Sequence, residues 1–154
     1  MFHIALFQPE IPPNTGNIIR LCANTGCTLH LIKPLGFEIN DKHLKRAGLD
    51  YAKDVTIHYY DSFDDFEDMA QKIGTTIYLC STKSNTLYTE PHYQAGDIFV
   101  FGPETKGLPE SLLNRYPSHH KIKIPMQPHS RSLNLSNAVS VIVFDAWRQN
   151  NFMQ

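Results

Sequence analysis

The sequence predicts an α/β domain with a mainly parallel sheet and flanking helices. Short apolar runs alternate with segments of helical periodicity along the whole chain, a pattern typical of βαβ units. With 154 residues, 42% hydrophobic and 19% charged, the chain has the size and composition of one globular domain. We therefore expect a single domain over residues 1–154.

The elements follow from local patterns. The predicted strands are the apolar runs His3–Phe7, Thr28–Ile32, Val55–Tyr59, Thr76–Cys80, Ile98–Phe101 and Lys121–Pro125. The predicted helices are Thr15–Asn24, Asp41–Ala47, Phe63–Lys72, Glu110–Arg115 and Leu133–Asn150. Ser62 is the expected N-cap of the third helix, whose first turn is acidic, and Gly74 is its expected end.

The last predicted helix is apolar nearly all round between residues 133 and 147. Such a helix is buried on more than one side. One side can pack on the sheet, and a second copy of the chain is the simplest partner for the other. We expect a homodimer whose interface includes Val139, Val143 and Trp147 together with the first helix near Arg20. The alternative is a helix at the centre of one chain.

The sequence lacks the motifs of several classes of enzyme. The sequence has no G-x-G-x-x-G or G-x-x-x-x-G-K-[ST] phosphate loop, no G-x-S-x-G elbow, and no metal-ligand spacing among its eight histidines. We expect no metal. The sequence contains no run of about 18 apolar residues, so no membrane helix is predicted. The N-terminal apolar run is typical of a strand, not of a signal peptide. The three cysteines are expected to be reduced thiols, so a cytoplasmic location is expected.

The net charge of −1 gives no global attraction to nucleic acid, so any RNA contact must come from a local patch. The best candidate is the segment 41–48, where Lys42, Lys45 and Arg46 share one helical face. A solvated helix face is the alternative interpretation.

The first candidate motif, PPNTGNIIRLCANTG (12–26), follows the first strand. Its prolines stiffen the loop, and Asn14 or Thr15 can cap the helix that carries Arg20. A helix N-terminus with free N–H groups and an arginine is a suitable anion site. The alternative is a rigid turn with Arg20 as a surface charge.

The second candidate motif, FGPETKGLP (101–109), follows a predicted strand. Glycine has no Cβ and proline fixes the direction of the backbone, so the backbone of this loop can closely approach a ligand or another segment. Glu104, between two glycines, can accept hydrogen bonds from buried backbone or interact with a cationic ligand. An ordinary turn before the helix at Glu110 is the alternative.

The third candidate motif, IPMQPHSRSLNLSNAVSV (124–141), joins a predicted strand to the last helix. Small polar residues, Ser132 and Asn134 among them, alternate into an apolar helix, where they are unfavourable. One or two can be caps. The rest indicate a polar pocket at a helix start, with backbone groups that read an adenine edge.

In this order and over so short a chain, the three motifs resemble those of the SPOUT family of RNA methyltransferases, closest to its small YibK/TrmL type. The similarity extends from about Ile4 to about Gln149. It implies a C-terminal trefoil knot, a known exception to the rule against threading, where segments 76–83, 101–109 and 124–137 meet. Periodicity alone predicts an unknotted doubly wound sheet.

The resemblance also implies a reaction, which is methyl transfer from S-adenosylmethionine to the ribose 2′-OH of tRNA position 34, with S-adenosylhomocysteine as product. The catalytic residues it implies are Arg20, Asn14, Ser132 and Asn134. The cofactor-binding residues are Cys80, Gly102, Glu104, Ile124, Met126, Ser132 and Leu133. Since arginine stays protonated, we assign Arg20 to stabilising the developing alkoxide and anchoring a phosphate.

Three other readings remain, namely a 2′-O-methyltransferase of ribosomal RNA, an RNA-binding module without catalysis, and an unrelated α/β nucleotide-binding enzyme. Retention of the motif residues argues against the second, and the missing phosphate loops argue against the third. Two departures from the family pattern stand out. Ser81-Thr82-Lys83-Ser84 replaces a frequent Thr-Thr-Lys-Gly run, and Phe144 replaces a frequent tyrosine, so any role of that hydroxyl is in doubt.

Overall fold

A computed structural model describes the backbone of residues 1–154 and every side chain apart from that of Leu49. The strands are β1 (His3–Phe7), β2 (Thr28–Ile32), β3 (Ile57–Tyr60), β4 (Ile77–Cys80), β5 (Thr86–Leu87), β6 (Ile98–Phe101) and β7 (Lys121–Lys123). The helices are α1 (Pro12–Thr25), α2 (Lys42–Ala47), α3 (Phe63–Ile73), α4 (Glu110–Leu113) and α5 (Leu135–Gln149). Two 3₁₀ turns span Leu49–Asp54 and Ser118–His120.

The seven strands form one sheet in the spatial order β3-β2-β1-β6-β4-β7-β5, and all their pairings are parallel. The α/β class with a mainly parallel sheet is therefore confirmed. The bounds predicted for β1, β2 and β6 match, because each is a short apolar run buried by helices on both sides. The two-residue strand β5 was not predicted, since so short an edge strand has no periodicity to detect.

Helices cover both faces of the sheet, and each face has its own core. Ile4 and Leu6 of β1 belong to a core that also includes Ile18 of α1 and Val143 of α5. Ala5, which points the other way, belongs to a second core with residues of α3 and α4. None of the helices in the described chain has the length and hydropathy that a membrane span requires.

Helix α3 has the predicted caps, whereas α1 does not. The Asp65 N–H donates to Ser62 Oγ at 3.1 Å, and Gly74 ends α3 with φ of 71°. Helix α1 begins earlier than predicted, with two prolines in its first turn and Ile11 as an N-cap without a side-chain bond. The prediction that Asn14 or Thr15 caps α1 is therefore wrong, because both residues lie buried inside the helix.

The third motif is less helical than predicted. β7 ends at Lys123 rather than residue 125, and α5 begins at Leu135 rather than residue 133. Asn134 is the N-cap of α5, and its side-chain oxygen accepts the Ser136 N–H at 3.0 Å. Residues 124–134 therefore form an irregular loop, in which polar side chains carry no helix penalty.

The structure corrects the predicted dimer face of α5. Val139 and Val143 are fully buried in the chain's own core, so neither can contact a second copy. The exposed apolar residues of α5 are Val141 and Phe144, with exposed fractions of 37% and 44%, and Trp147 is half-buried. The prediction was wrong for Val139 and Val143, because periodicity detects two apolar faces without telling which one meets the core.

The C-terminal end of α5 is tied to the segment that precedes β6. The Tyr93 N–H donates to Gln149 Oε1 at 3.0 Å, and Gln149 Nε2 donates to the Pro91 carbonyl at 3.1 Å. Asn150 Nδ2 donates to the Tyr93 carbonyl at 3.0 Å. These bonds fix the last helix against a loop more than fifty residues earlier in the chain.

A chain of polar aromatic side chains crosses the face of the sheet beneath α3. His30 is 1% exposed, and its two ring nitrogens lie 2.9 Å from His3 Nδ1 and 2.9 Å from Tyr60 Oη. The exposed His58 stacks on the His30 ring. Burial, with the charges of His3 and His58, lowers the pKa of His30 to about 3.

The free energy of unfolding should consequently decrease when the pH is lowered beneath 6.5. His30 has its ordinary pKa of 6.5 when unfolded and about 3 when folded, so between these values only the unfolded chain binds the proton. Stability is therefore lost as pH falls, by about 3 kcal/mol between pH 7.5 and 4.5. Urea unfolding across this range checks it. His30→Phe should flatten the pH dependence, whereas the control His43→Ala, at an exposed position, should not; equal slopes would contradict the assignment.

Candidate active site

A cavity of about 530 Å³ opens at the carboxyl ends of β4, β6 and β7. Its walls come from the segments that follow these strands, residues 80–83, 101–108 and 122–135, and from the start of α1 and one face of α5. Ligands of open α/β sheets bind at this edge, and the volume lies within the range of small-molecule sites. The three motifs of the sequence thus meet around one cavity.

The loop after β6 folds tightly back on itself. A Cβ on Gly102 would lie 2.3 Å from the Leu108 nitrogen and 2.4 Å from the Gly107 carbonyl carbon. Gly107 adopts a φ of 67°, which side chains other than glycine rarely adopt. Leu108 then turns into the core. Glycine at 102 and 107 therefore allows the loop to fold back on itself beside the cavity.

Glu104 caps α1 from the other side of the cavity. Its carboxylate accepts the Glu10 N–H at 2.9 Å, the Ile11 N–H at 2.7 Å and Asn14 Nδ2 at 3.3 Å. In return, Glu10 Oε1 accepts the Thr105 N–H at 3.0 Å. The start of α1 and the loop after β6 are thereby locked together, and Glu104 supplies the cap that α1 lacks in its own sequence.

The same network continues into the third motif with a fixed direction. A carboxylate only accepts, so Asn14 must present its NH₂ to Glu104 and its oxygen to Asn134. Asn134 Nδ2 donates to Asn14 Oδ1 at 2.9 Å, and Asn134 Oδ1 accepts the Ser136 N–H. Since a backbone N–H only donates, the Glu104 end and the Ser136 end of this hydrogen-bond network require the same orientation of both amides. Asn14 and Asn134 therefore hold the three motifs in register.

The structure brings most of the proposed site residues together. The lining includes all the residues assigned to the cofactor, namely Cys80, Gly102, Glu104, Ile124, Met126, Ser132 and Leu133. Asn14, Ser132 and Asn134 from the catalytic set also line the cavity. Arg20 does not, because it lies on the exposed side of α1, where its guanidinium contacts the Tyr51 ring. Within one chain, the proposed catalytic arginine and the cavity are separate.

Sequence reasoning missed the positive charge of the cavity. Lys83, Lys106, Lys123 and Arg131 line it, and Glu104 is the one carboxylate among the lining residues. Lys106 and Arg131 lie inside the quoted motifs, so counting their charges would have found this feature. The cavity is consequently suited to receive an anionic group beside its ligand.

The described lining offers no evident general base. Burial raises the pKa of the Cys80 thiol well above its ordinary value, so that thiol stays protonated. The Glu104 carboxylate is already occupied by three donors. Among the described side chains, no group of three or more His, Cys, Asp or Glu is placed to hold a metal ion. The lining residues are thus arranged to bind and orient a ligand.

Comparison with known proteins agrees with this architecture. A solved structure from work on the 2-OH methylation of C/U34 on tRNA superposes with a TM-score of 0.92 at 43% identity, covering 99% of this chain and 98% of that one. A SpoU methyltransferase from Streptomyces viridochromogenes, in complex with the cofactor AdoMet, superposes with a TM-score of 0.86 over 99% of this chain and 58% of its own. At 20% identity, this second likeness supports the fold alone.

The sequence relatives cover nearly the whole chain. A tRNA (cytidine(34)-2'-O)-methyltransferase from Yersinia pestis is 56% identical over 152 residues, which span 97% of this chain and 94% of the relative. A protein of the same name from Escherichia coli K12 is 53% identical with the same coverage. Residues 1–144 match the description SpoU rRNA Methylase family. The chain therefore belongs to the SpoU methylase family.

Proposed function

We propose that this protein is an S-adenosylmethionine-dependent tRNA 2′-O-ribose methyltransferase acting on the wobble nucleotide, position 34, as cytidine or modified uridine. The observation that carries the proposal is the single cavity on which all three motifs converge. Identity of 56% over nearly the full length to a cytidine-34 methyltransferase supports the choice of tRNA within the family. A ribosomal RNA substrate and a non-catalytic RNA-binding module are the competing functions.

The cavity residues fit S-adenosylmethionine, a ligand with an adenine, a ribose, a sulfonium and an amino-acid end. Residues 102–107 and 124–134 belong to no helix or strand, so backbone groups of these segments that are not paired within their own turns can offer donors and acceptors for the adenine and ribose. Ile122, Ile124 and Leu133 offer apolar contacts. Lys or Arg side chains at the rim can pair with the ligand's carboxylate.

When bound, S-adenosylmethionine supplies an electrophilic methyl group. The protein must align the 2′-oxygen with that carbon, exclude water and stabilise the charge that develops as the hydroxyl loses its proton. With Glu104 occupied and Cys80 protonated, no lining side chain is suited to accept that proton. We therefore assign Arg20 to the developing alkoxide and a neighbouring phosphate, and the proton passes to RNA phosphate or water.

This assignment requires a homodimer, because Arg20 does not line the cavity of its own chain. In the proposed dimer, Arg20 of one protomer completes the cavity of its partner. Helices α1 and α5 contact each other, so their exposed sides can share one interface. The exposed Val141 and Phe144 of α5 give that interface an apolar centre.

The proposed RNA surface includes the basic face of α2. Lys42, Lys45 and Arg46 are exposed, and none belongs to an ion pair among the described residues. Helix α2 packs on α1, which carries Arg20. A phosphate backbone is the complementary partner for this face, and the binding should weaken steeply with salt.

Three further features belong to the same proposal: a single SPOUT domain over residues 1–154, a C-terminal trefoil knot and a cytoplasmic location. The family match over residues 1–144 supports the knot, which the resemblance to the SPOUT family implies. Stretching the chain from its ends should leave it shorter than its full contour length. The free cysteines Cys22, Cys27 and Cys80 support the location.

Mass mapping of nucleosides in tRNA from cells lacking the protein tests the function. The expected result is loss of the 2′-O-methyl group at position 34, restored in vitro by purified protein and S-adenosylmethionine without added metal. Calorimetry should detect binding of S-adenosylmethionine or S-adenosylhomocysteine. Intact position 34 with a missing ribosomal RNA methyl group would favour the second function. Failure to bind either compound, with and without RNA, would favour the non-catalytic module.

A further inference from the structure

Arg20 is held by an aromatic ring and not by a carboxylate. Its guanidinium carbon lies over the Tyr51 ring, 5.3 Å from the ring centre. Among the ion pairs of the described residues, Arg20 takes part in none. Both side chains are exposed at the surface, and Tyr51 is 39% exposed. The contact is a cation–π pair that faces solvent.

The backbone under Tyr51 is pressed directly against the Arg20 turn of α1. A Cβ on Gly48 would lie 1.9 Å from the Gly16 carbonyl oxygen and 3.4 Å from the Arg20 nitrogen. A Cβ on Gly16 would likewise lie 2.4 Å from Ala47 Cβ. The Tyr51 N–H then donates to the Gly48 carbonyl at 3.0 Å. This close packing fixes the backbone that carries the ring relative to the backbone that carries Arg20.

A ring holds arginine in a way that leaves it chemically available. A carboxylate partner would occupy the N–H groups at the guanidinium edge and cancel its charge. An aromatic ring attracts the cation through its π-face. Unlike a hydrogen-bond acceptor, it does not occupy the guanidinium N–H groups. The full charge of Arg20 and its fork of donors therefore stay free for an incoming phosphate or oxyanion, while the long side chain loses much of its rotamer freedom.

We propose that Tyr51 is a positioning residue for Arg20, which holds the guanidinium in the orientation that meets the RNA ribose and phosphate. The inference rests on the proposed function, because it needs Arg20 to act on RNA. It assigns a role to the 3₁₀ segment Leu49–Asp54, which none of the three motifs includes. The ring is the required feature, and the hydroxyl is not.

Single-turnover and steady-state kinetics of Tyr51→Leu and Tyr51→Phe test the proposal. Tyr51→Leu should lower kcat about fivefold, the size of one exposed cation–π contact, with the Kd for S-adenosylmethionine unchanged. Tyr51→Phe should restore activity to within about twofold, because the ring remains. The matched control is Tyr59→Leu, which removes another exposed tyrosine, at 44% exposure, from an edge strand.

The second measurement follows Arg20 itself and does not depend on activity. The Arg20 side-chain NεH resonance should be displaced by the ring in the wild type and in Tyr51→Phe, and should move to an ordinary position in Tyr51→Leu. An ordinary resonance in the wild type would overturn the proposal, as would equal kcat values for wild type and Tyr51→Leu. If Arg20→Ala kept full activity while the resonance was displaced, the catalytic assignment of Arg20 would fail, and the role of Tyr51 with it, but the contact itself would stand.

Discussion

Replacing Arg20 with alanine is expected to abolish methyl transfer and leave the affinity for S-adenosylmethionine nearly unchanged. Arg20 lies outside the cavity of its own chain and forms no bond to its lining, so the cofactor site should stay intact. Methyl-transfer kinetics and calorimetry on one preparation measure both effects. Turnover within about tenfold of wild type, about 1.4 kcal/mol of barrier, would show that Arg20 is not the catalytic centre.

Two companion variants separate charge, geometry and cofactor binding. Arg20→Lys should recover little activity, because an ammonium is a point charge and cannot reproduce the bidentate fork. Leu133→Arg should have the opposite effect to Arg20→Ala and lose cofactor affinity first, since Leu133 lines the cavity and is exposed enough for the chain to fold. Normal cofactor affinity in Leu133→Arg would place the cofactor elsewhere.

The double variant Val141→Glu and Phe144→Glu is expected to be a monomer without methyltransferase activity. Both side chains are exposed on α5, so the substitutions leave the core of the chain intact. In the proposed dimer they would bury four unpaired carboxylates, which costs several kcal/mol. Light scattering at micromolar concentration and methyl-transfer kinetics measure the two effects. Ile73→Glu is the matched control, because Ile73 is an exposed apolar residue at the end of α3, with an exposed fraction of 54%.

The oligomeric state and the activity of the double variant give separate answers. A monomer with wild-type activity would remove the partner from the site and require Arg20 to reach the cavity within one chain. A dimer would mean that the interface lies away from Val141 and Phe144. A monomer that still binds S-adenosylmethionine but transfers no methyl group is the outcome that the shared site requires.

The residues that line the cavity were predicted from sequence more completely than the bonds among them. The second and third motifs contain the lining from Gly102 to Leu133, because unusual backbone shapes leave a local signature in glycine and proline, whereas Cys80 was named only through the family resemblance. The roles of Asn14 and Asn134 were not predictable in the same way. Their amides are tied to Glu104 and to each other, and such partners are 90 and 120 residues apart in the chain.

The sequence by itself determined the α/β class, the central strands and the positions of the three motifs along the chain. These features follow from alternation and from residue types within short windows, where burial and backbone preference act locally. Only the tertiary structure decided that Glu104 caps α1, that Val139 and Val143 face the core, and that Tyr51 holds Arg20. Each of these depends on which distant segments come into contact, and a pattern within a short window of sequence carries no information about that.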